Sequence, residues 1–425
     1  MQKLLSLRGE FTTQAGSLFI TTVAGYVFGY LYLVFMGRFL GPEAFGILGS
    51  LFAIFYIACL VGQALRGAIA RHVAEIKARA GESAAVSAYL KLGLRLGLLC
   101  LLFPLLFIVA SQQIASFFHL TSTGPVIILG FSLLSVLILD TVLGLMQGLQ
   151  KFRELGISGY LVSQGLKFLF GVVFVWVGWD LLGAVGALLA STAIGMVLGL
   201  ILLRRQLASG ARGQAWGNPK LAPLLAPAII LAVFMSIPTS VDVMLVTHFL
   251  GGKEAGLYNA VATLGKVVIF LPMAVSFVLL PKATENHTLG LGSRNILLQG
   301  LLYASILSGA VTLAYWIFPH IIVKLFFGEV YLEATSLLAR YGTAMFLFSL
   351  NFVLIHYSLA IRNLRLMLLA DFITLAEVVA IILLHHSLSQ IIWILLFGNL
   401  LIFLCSLSSL VVPRRVRGYT YSFES

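Results

Sequence analysis

Apolar runs of about twenty residues recur from one end of the chain to the other, and they limit the possible folds to those of membrane proteins. The first run extends from Gly16 to Met36 and contains no Asp, Glu, Lys or Arg. A helix needs about 20 apolar residues to cross a hydrocarbon core of about 30 Å. Because lipid offers the backbone no hydrogen bonds, such runs fold as helices. The predicted fold is therefore all-α and polytopic.

By this measure the sequence predicts about twelve transmembrane helices. They are expected near residues 16–37, 44–65, 91–110, 125–147, 157–178, 183–203, 222–247, 255–280, 296–318, 335–357, 366–384 and 390–411. The first run is longer than the core of a signal peptide, so we expect it to remain as the first span. No predicted loop is long enough to hold a soluble domain, and the function must therefore be carried out within the membrane.

The composition agrees with a lipid environment. Hydrophobic residues make up 60% of the chain, charged residues make up 10%, and the mean hydropathy is +1.05. These values exclude a soluble globular protein. The net charge of +12 does not indicate nucleic-acid binding, because the basic residues lie between apolar runs rather than on one folded face.

The distribution of basic residues predicts the topology. With the N-terminus in the cytoplasm, 21 of the 27 Lys and Arg residues fall on the cytoplasmic side. Three fall in predicted outer loops, and three lie within or at the edge of predicted spans. The outer ones are Arg38, Lys253 and Lys324, and those in spans are Lys167, Lys266 and Arg340. This bias predicts an inner-membrane protein with both termini in the cytoplasm.

A repeated motif divides the chain into two halves. Phe39-Leu40-Gly41 followed by Gly46 recurs 210 residues later as Phe249-Leu250-Gly251 followed by Gly256. A polar, Gly-rich stretch lies between the copies. The predicted organisation is an N-terminal six-helix bundle (1–205), a cytoplasmic linker (206–220), a C-terminal six-helix bundle (221–411) and a cytoplasmic tail (412–425). Two even-numbered halves share one orientation, so we expect parallel repeats around a central cavity.

Motifs for enzymatic or cofactor chemistry do not emerge from the sequence. Gly265-Lys266 lacks the remainder of an ATPase phosphate-binding loop, and His72-Val73-Ala74-Glu75 lacks the remainder of a zinc motif. His385-His386 has no third ligand nearby in sequence, and the three cysteines show no metal or redox spacing. We therefore predict no cofactor, no metal and no enzymatic activity, with energy supplied by a gradient or by the substrate's own flux.

Charged residues at membrane depth are the best candidates for a functional site, because each costs at least a few kcal/mol in a bilayer. Lys266 and Lys167 lie near the middle of the eighth and fifth predicted spans, where a cation facing a cavity suits a diphosphate or an acidic sugar. Adding the repeat offset to Lys167 leads to Glu377 in the eleventh span. Two alternatives stay open: the two residues pair and lock one conformation, or they stay apart and are free for substrate or a coupling cation.

Four further charged residues complete the candidates. Asp140 and Asp242 lie at membrane depth. Three roles stay open for them: binding a coupling proton or sodium ion, pairing with the basic residues, or forming hydrogen bonds between helices. Arg66 and Arg340 lie near the ends of their spans, where we expect them to line the cavity mouths and attract an anionic head group. For Arg66 the alternative is anchoring of the helix end on the cytoplasmic side.

The segment Gly37-Arg38-Phe39-Leu40-Gly41-Pro42-Glu43-Ala44-Phe45-Gly46 resembles the loop signature of Wzx-type polysaccharide-export flippases. Their superfamily, abbreviated MOP, also holds the MATE drug exporters and the lipid II flippases. Further matches are Gln147 to Phe152, Gly183 to Ala190, and Asp242 with Gly251, Gly256, Leu257 and Tyr258. The resemblance implies that a polyprenyl-diphosphate-linked oligosaccharide moves from the cytoplasmic to the outer leaflet by alternating access. It also implies membrane lipids, polysaccharide polymerases or glycosyltransferases, and a coupling cation as partners.

A cation-coupled multidrug exporter of the same fold remains the alternative. Its cavity is expected to be dominated by acidic residues, whereas the residues within spans here include Lys167 and Lys266 beside Asp140 and Asp242. A membrane polymerase or ligase is disfavoured because the predicted outer loops are too short to carry a catalytic site.

Overall fold

The computed structural model describes residues 2–210, 237–288, 294–361 and 363–411, and every regular element within these ranges is helical. In the N-terminal half the helices are α1 (Gln2–Ala80), α2 (Glu82–Cys100), α3 (Leu102–Val109), α4 (Ser111–Phe117), α5 (Gly124–Gly148), α6 (Phe152–Leu155), α7 (Ser163–Trp176), α8 (Asp180–Leu202) and α9 (Arg204–Gly210). In the C-terminal half they are α10 (Asp242–Phe249), α11 (Gly252–Thr288), α12 (Arg294–Ile317), α13 (Pro319–Phe327), α14 (Thr335–Ala360), α15 (Leu364–Leu383) and α16 (Leu388–Val411). Two π-helical segments, Gly156–Val162 and Ile237–Val241, precede α7 and α10, and a 3₁₀ segment, Glu329–Ala334, precedes α14.

Eight helices in the described ranges are long and apolar enough to cross a membrane. One of them, α1, holds the first two predicted spans, which are joined at a kink. Gly41 has a φ of 76° there and is followed by Pro42, which cannot continue the backbone hydrogen bonding of a helix. The prediction of an all-α, multi-span membrane protein is confirmed.

Two predicted spans differ from the observed helices. The third is divided between α2 and α3, with the break at Leu101. The seventh lies outside the described residues up to position 236, and its remainder is the π-helical segment together with α10. The predicted linker from residue 211 onward and the tail 412–425 also lie outside the described residues, whereas residues 206–210 belong to α9.

Packing within each half is organised around one central helix. In the N-terminal half, α5 contacts α1 and α8, and in the C-terminal half, α14 contacts α11, α12 and α16. Between the halves, α1 lies along α11. Large apolar side chains such as Trp176, Phe372 and Leu383 point outward, as expected for helices whose solvent is lipid.

The two copies of the repeated motif contact each other at the predicted outer face. A Cβ atom added to Gly46 would lie 2.7 Å from the backbone of Ala255 and Gly256, and one added to Gly256 would overlap the carbonyl of Pro42. The Asn259 side chain donates a hydrogen bond of 2.7 Å to the Phe45 carbonyl beside this contact. Because neither glycine has a side chain, the backbones of α1 and α11 meet directly, and the halves are closed together at this face.

Candidate functional site

A cavity of about 360 Å³ lies between the two halves. Its walls are formed by two stretches of α1, from Gly25 to Leu33 and from Tyr56 to Gln63, together with parts of α7, α11 and the π-helical segment Ile237–Val241. Most of the lining residues lie near the middle of their predicted spans, and the stretch from Tyr56 to Gln63 extends toward the predicted cytoplasmic end. The cavity therefore lies deeper in the membrane than the Gly46 and Gly256 contact.

The π-helical segment Gly156–Val162 precedes a helix that lines this cavity, and Ile237–Val241 lines the cavity itself. The first ends one residue before α7, which supplies Gln164 and Lys167 to the wall, and the second itself supplies Thr239 and Ser240. A π-helical turn inserts an extra residue and redirects the side chains that follow it, and such turns occur frequently at functional sites. They explain locally why polar side chains of these spans face the cavity.

Lys167 lies in the cavity wall with only 4% of its surface exposed. Its ammonium group lies 5.1 Å from the centre of the Tyr32 ring, a cation-π arrangement. The Tyr32 hydroxyl donates a hydrogen bond of 2.8 Å to the Ala184 carbonyl, which holds the ring in place. Within the described residues no carboxylate lies within 4 Å of the Lys167 ammonium, so its charge is available to a ligand.

Lys266 enters the same cavity from the opposite half. It lies on α11, is partly exposed, and has no ion pair among the described residues. The carboxylate of Asp242 is close enough to attract its ammonium group without forming a direct contact. The two lysines singled out from the sequence thus line one cavity, one from each half.

Arg66 and Asp140 form an ion pair instead of lining the cavity. The guanidinium nitrogen Nη1 of Arg66 lies 3.6 Å from Oδ1 of Asp140 and 3.4 Å from the Tyr160 hydroxyl. The ring of Tyr160 packs edge-on against that of Tyr26, which does line the cavity. Arg66 therefore lies one layer behind the cavity wall, and Asp140 has the role of its partner.

The remaining candidate residues lie outside the cavity lining. Arg340 donates a hydrogen bond of 2.5 Å to the Ser389 hydroxyl and joins α14 to α16. Asp242 accepts hydrogen bonds from the hydroxyls of Tyr258 and Tyr341, at 2.8 and 3.0 Å, through its Oδ2 atom. Its Oδ1 atom is buried and has no hydrogen-bond partner in the described part of the chain.

Glu377 is buried on α15, with 3% of its surface exposed, and does not pair with Lys167 in the described structure. It contacts Gly398 of α16 and lies within electrostatic range of Asp242. Neither carboxylate oxygen has a hydrogen-bond partner among the described residues. The sequence left open whether Lys167 and Glu377 pair or stay apart, and in the described structure they stay apart. The repeat offset did not bring them to one cavity.

Several polar and aromatic residues of the cavity were not anticipated. Three tyrosines and two glutamines line the part of the wall that comes from the N-terminal half: Tyr26, Tyr30, Tyr56, Gln63 and Gln164. Tyr26 and Tyr30 are four residues apart, a spacing that places them on one face of a helix. That spacing is visible in the sequence, whereas the contribution of Gln164 depends on the π-helical turn before it.

Comparison with known proteins identifies one protein family and several solved structures of the same fold. A family model described as "Polysaccharide biosynthesis protein" matches residues 11–287, whereas no curated protein sequence matches the chain. The fold is similar to an inward-facing multidrug resistance MATE family transporter of the MOP superfamily (TM-score 0.71, 15% identity, 91% of this chain and 94% of that one). It is also similar to the lipid II flippase MurJ in an inward closed conformation (TM-score 0.67, 14% identity, 93% and 87% covered). A third similar structure is the MATE multidrug transporter DinF-BH (TM-score 0.67, 16% identity, 94% and 95% covered).

Proposed function

The chain belongs to the polysaccharide biosynthesis protein family, and from that membership we propose that it is a flippase for a polyprenyl-diphosphate-linked oligosaccharide. The proposed direction is from the cytoplasmic to the outer leaflet of the inner membrane, with both termini in the cytoplasm. The observation that carries the proposal is the placement of Lys167 and Lys266, one from each half, in the wall of one central cavity. Their combined charge suits a diphosphate.

The energetics of the bilayer support a ligand for these lysines. A cation at membrane depth costs at least a few kcal/mol unless it is paired or faces water. Within the described residues Lys167 and Lys266 form no ion pair. An anionic head group that enters between them would be attracted by two charges at once, while its polyprenyl tail stays in lipid.

The shape of the molecule supports transport by alternating access. The halves are in contact at the predicted outer face, at Gly46 and Gly256, and the cavity lies between the halves near the middle of the membrane. A substrate taken up from the cytoplasmic leaflet would leave when the halves separate at the outer contact. Such rocking of two bundles around one central site is the common mechanism of transporters built from repeats.

A multidrug exporter of the same fold is the alternative, and the distribution of charge favours the flippase. Attraction of an organic cation requires carboxylates in the cavity wall. Among the described residues the lining contains two lysines and no carboxylate, whereas Asp140, Asp242 and Glu377 lie behind the wall. Asp242 and Glu377 are both buried in the C-terminal half and lie within electrostatic range of each other, and we propose that they hold a coupling cation.

Reconstitution into liposomes tests the proposed function. Purified protein is mixed with a fluorescent polyprenyl-diphosphate sugar, and transfer between leaflets is followed by a quencher that cannot cross the membrane. We expect transfer by the wild type and at least a tenfold slower rate in Lys266→Ala and Lys167→Ala. Lys91→Ala, at an exposed lysine on α2 outside the cavity, is the matched control and should retain the wild-type rate.

Failure of the wild type to transfer the lipid, combined with gradient-driven efflux of organic cations, would establish the exporter instead. That result would also remove the basis for proposing polymerases and glycosyltransferases as partners. Transfer that is equally fast in all three alanine variants would keep the flippase but remove the two lysines from the substrate site.

A further inference from the structure

Two polar atoms in the cavity wall lack hydrogen-bond partners. The hydroxyl oxygen of Tyr30 and the amide oxygen Oε1 of Gln164 are both buried, and neither has a partner in the part of the chain that the structure describes. Nearly all buried polar atoms in proteins have a partner, so an unpaired atom calls for an explanation. These two side chains come from different helices, α1 and α7, and line the same cavity.

Gln164 adjoins the ammonium group of Lys167, and Tyr30 lines the same cavity. Gln164 precedes Lys167 by three residues and shares its face of α7. A Cβ atom built on Gly29 would lie 3.2 Å from Oε1 of Gln164 and 3.9 Å from Nζ of Lys167. Tyr30 follows Gly29 directly on α1. A ligand held by Lys167 therefore has the Gln164 side chain as an immediate neighbour and shares the cavity with Tyr30, whose ring packs edge-on against that of Phe326.

The chemistry of this wall suits an uncharged ligand rich in hydroxyl groups. A phenol and an amide each donate and accept hydrogen bonds, which matches the hydroxyl groups of a sugar. The rings of Tyr26 and Tyr56 lie in the same wall and supply apolar faces against which a sugar ring can pack. A cavity of about 360 Å³ has room for a small head group rather than for a long glycan.

We propose that Tyr30 and Gln164 form a sugar-binding subsite that recognises the sugar joined directly to the diphosphate. This inference rests on the proposed function, because it places the diphosphate at Lys167. Both oxygen atoms are shielded from solvent in this conformation, so binding requires the two side chains to turn toward the ligand. For Gln164, a half turn about the last side-chain bond exchanges the positions of its oxygen and nitrogen atoms.

Binding of two short-tailed analogues to the full-length protein in detergent tests the subsite. One analogue is farnesyl diphosphate, and the other is farnesyl diphosphate carrying one neutral sugar. The variants are Tyr30→Phe, which removes only the hydroxyl group, and Gln164→Leu, which removes the amide at similar volume. The matched control is Tyr303→Phe, because Tyr303 lies on α12 with 56% of its surface exposed, outside the cavity lining.

We expect the wild type to bind the sugar-bearing analogue more tightly than farnesyl diphosphate. Each cavity variant should weaken binding of the sugar-bearing analogue about three- to tenfold, as expected for one lost hydrogen bond, and leave farnesyl diphosphate binding unchanged. Equal weakening for both analogues, or no weakening for either, would overturn the subsite. A thermal unfolding scan of each variant identifies any loss caused by misfolding, and the uncharged changes Gln164→Met and Tyr30→Leu then serve as replacement variants.

The outcomes separate the subsite from the proposed function. If the wild type transfers a lipid-linked sugar in liposomes but binds both analogues equally, the flippase stands and the subsite is overturned. If the wild type prefers the sugar-bearing analogue but transfers no lipid, the subsite stands as a binding site and the transport function is overturned. If the wild type binds neither analogue, both are overturned.

Discussion

The His119 and His248 side chains, one in each half of the molecule, each make a hydrogen bond to the other half at the predicted outer face. The Nε2 atom of His119 donates to the His248 carbonyl at 3.1 Å, and the Nδ1 atom of His248 donates to the Phe117 carbonyl at 2.9 Å. The imidazole of His248 also stacks on the Phe117 ring with centres 3.9 Å apart. Because a carbonyl only accepts, both nitrogens must carry protons. We call these contacts the histidine clasp.

Loss of one clasp hydrogen bond should favour separation of the halves at the outer face. His248→Phe keeps an aromatic ring against Phe117 but removes the donor. A net loss of about 1 kcal/mol corresponds to about a fivefold shift in population toward the separated state. Spin labels at Thr121→Cys and Glu254→Cys, in a background with the native cysteines replaced, measure the distance between the halves.

His386→Phe is the control for this measurement, because His386 is exposed and its ring stacks with that of His385 in the same half. It should leave the distance distribution unchanged. If His248→Phe gave the same distribution of spin-label distances as the wild type, the histidine clasp would not be what holds the outer face closed.

The architecture was predictable because apolar runs of span length have few alternatives in a bilayer. The kink at Gly41 and Pro42 also follows from residue chemistry, and the repeated motif indicated where the halves correspond. That the two copies contact each other through Gly46 and Gly256 was not predictable, because a repeat gives the relation between halves but not the surface by which they meet.

The candidate site was predictable only in part, for a physical reason. Lys167 and Lys266 were selected because isolated charges in apolar runs are costly, and both line the cavity. The same reasoning selected Asp140, which pairs instead with Arg66, and Asp242, whose Oδ2 atom accepts from two tyrosine hydroxyls. The cost of burial identifies a charge that needs a partner, but it does not distinguish a partner in the protein from a ligand.

A side chain at Gly256 should disrupt the closed outer face. The Cβ atom of Gly256→Ala would overlap the Pro42 carbonyl, so α1 and α11 must move apart. We expect a longer distance between the spin labels described above, together with a lower midpoint of thermal unfolding. Gly67→Ala is the control, since a Cβ atom there meets nothing within 4 Å and alanine favours the helix. Unchanged distances in Gly256→Ala would contradict direct backbone contact at this face.

The ion pair between Arg66 and Asp140 should stabilise the N-terminal half. Asp140→Leu leaves a guanidinium in an apolar setting, and we expect a loss of about 2 to 3 kcal/mol in stability. This is less than for a fully buried pair, because 23% of the Arg66 side chain is exposed. Arg66→Met combined with Asp140→Leu should recover most of the loss, since no unpaired charge remains. A thermal unfolding cycle of the two single variants and the double variant measures the coupling, and additive effects would show that the pair is not stabilising.

Glu377 should be required for coupling to a cation gradient rather than for folding. Its two carboxylate oxygens are buried without hydrogen-bond partners in the described structure, so Glu377→Gln removes a costly charge at nearly the same volume. We expect an equal or higher midpoint of thermal unfolding. Transfer of the lipid-linked sugar should continue in liposomes but should no longer respond to an imposed sodium or proton gradient.

Asp371→Asn is the matched control, because Asp371 is also buried on α15 and also has an unpartnered oxygen in the described structure, but lies nearly two turns from Glu377. If Asp242 and Glu377 hold the cation jointly, Asp242→Asn and Glu377→Gln should both abolish the response to the gradient. Asp371→Asn should retain that response. A gradient response that survives in Glu377→Gln and in Asp242→Asn would place the coupling site elsewhere in the chain.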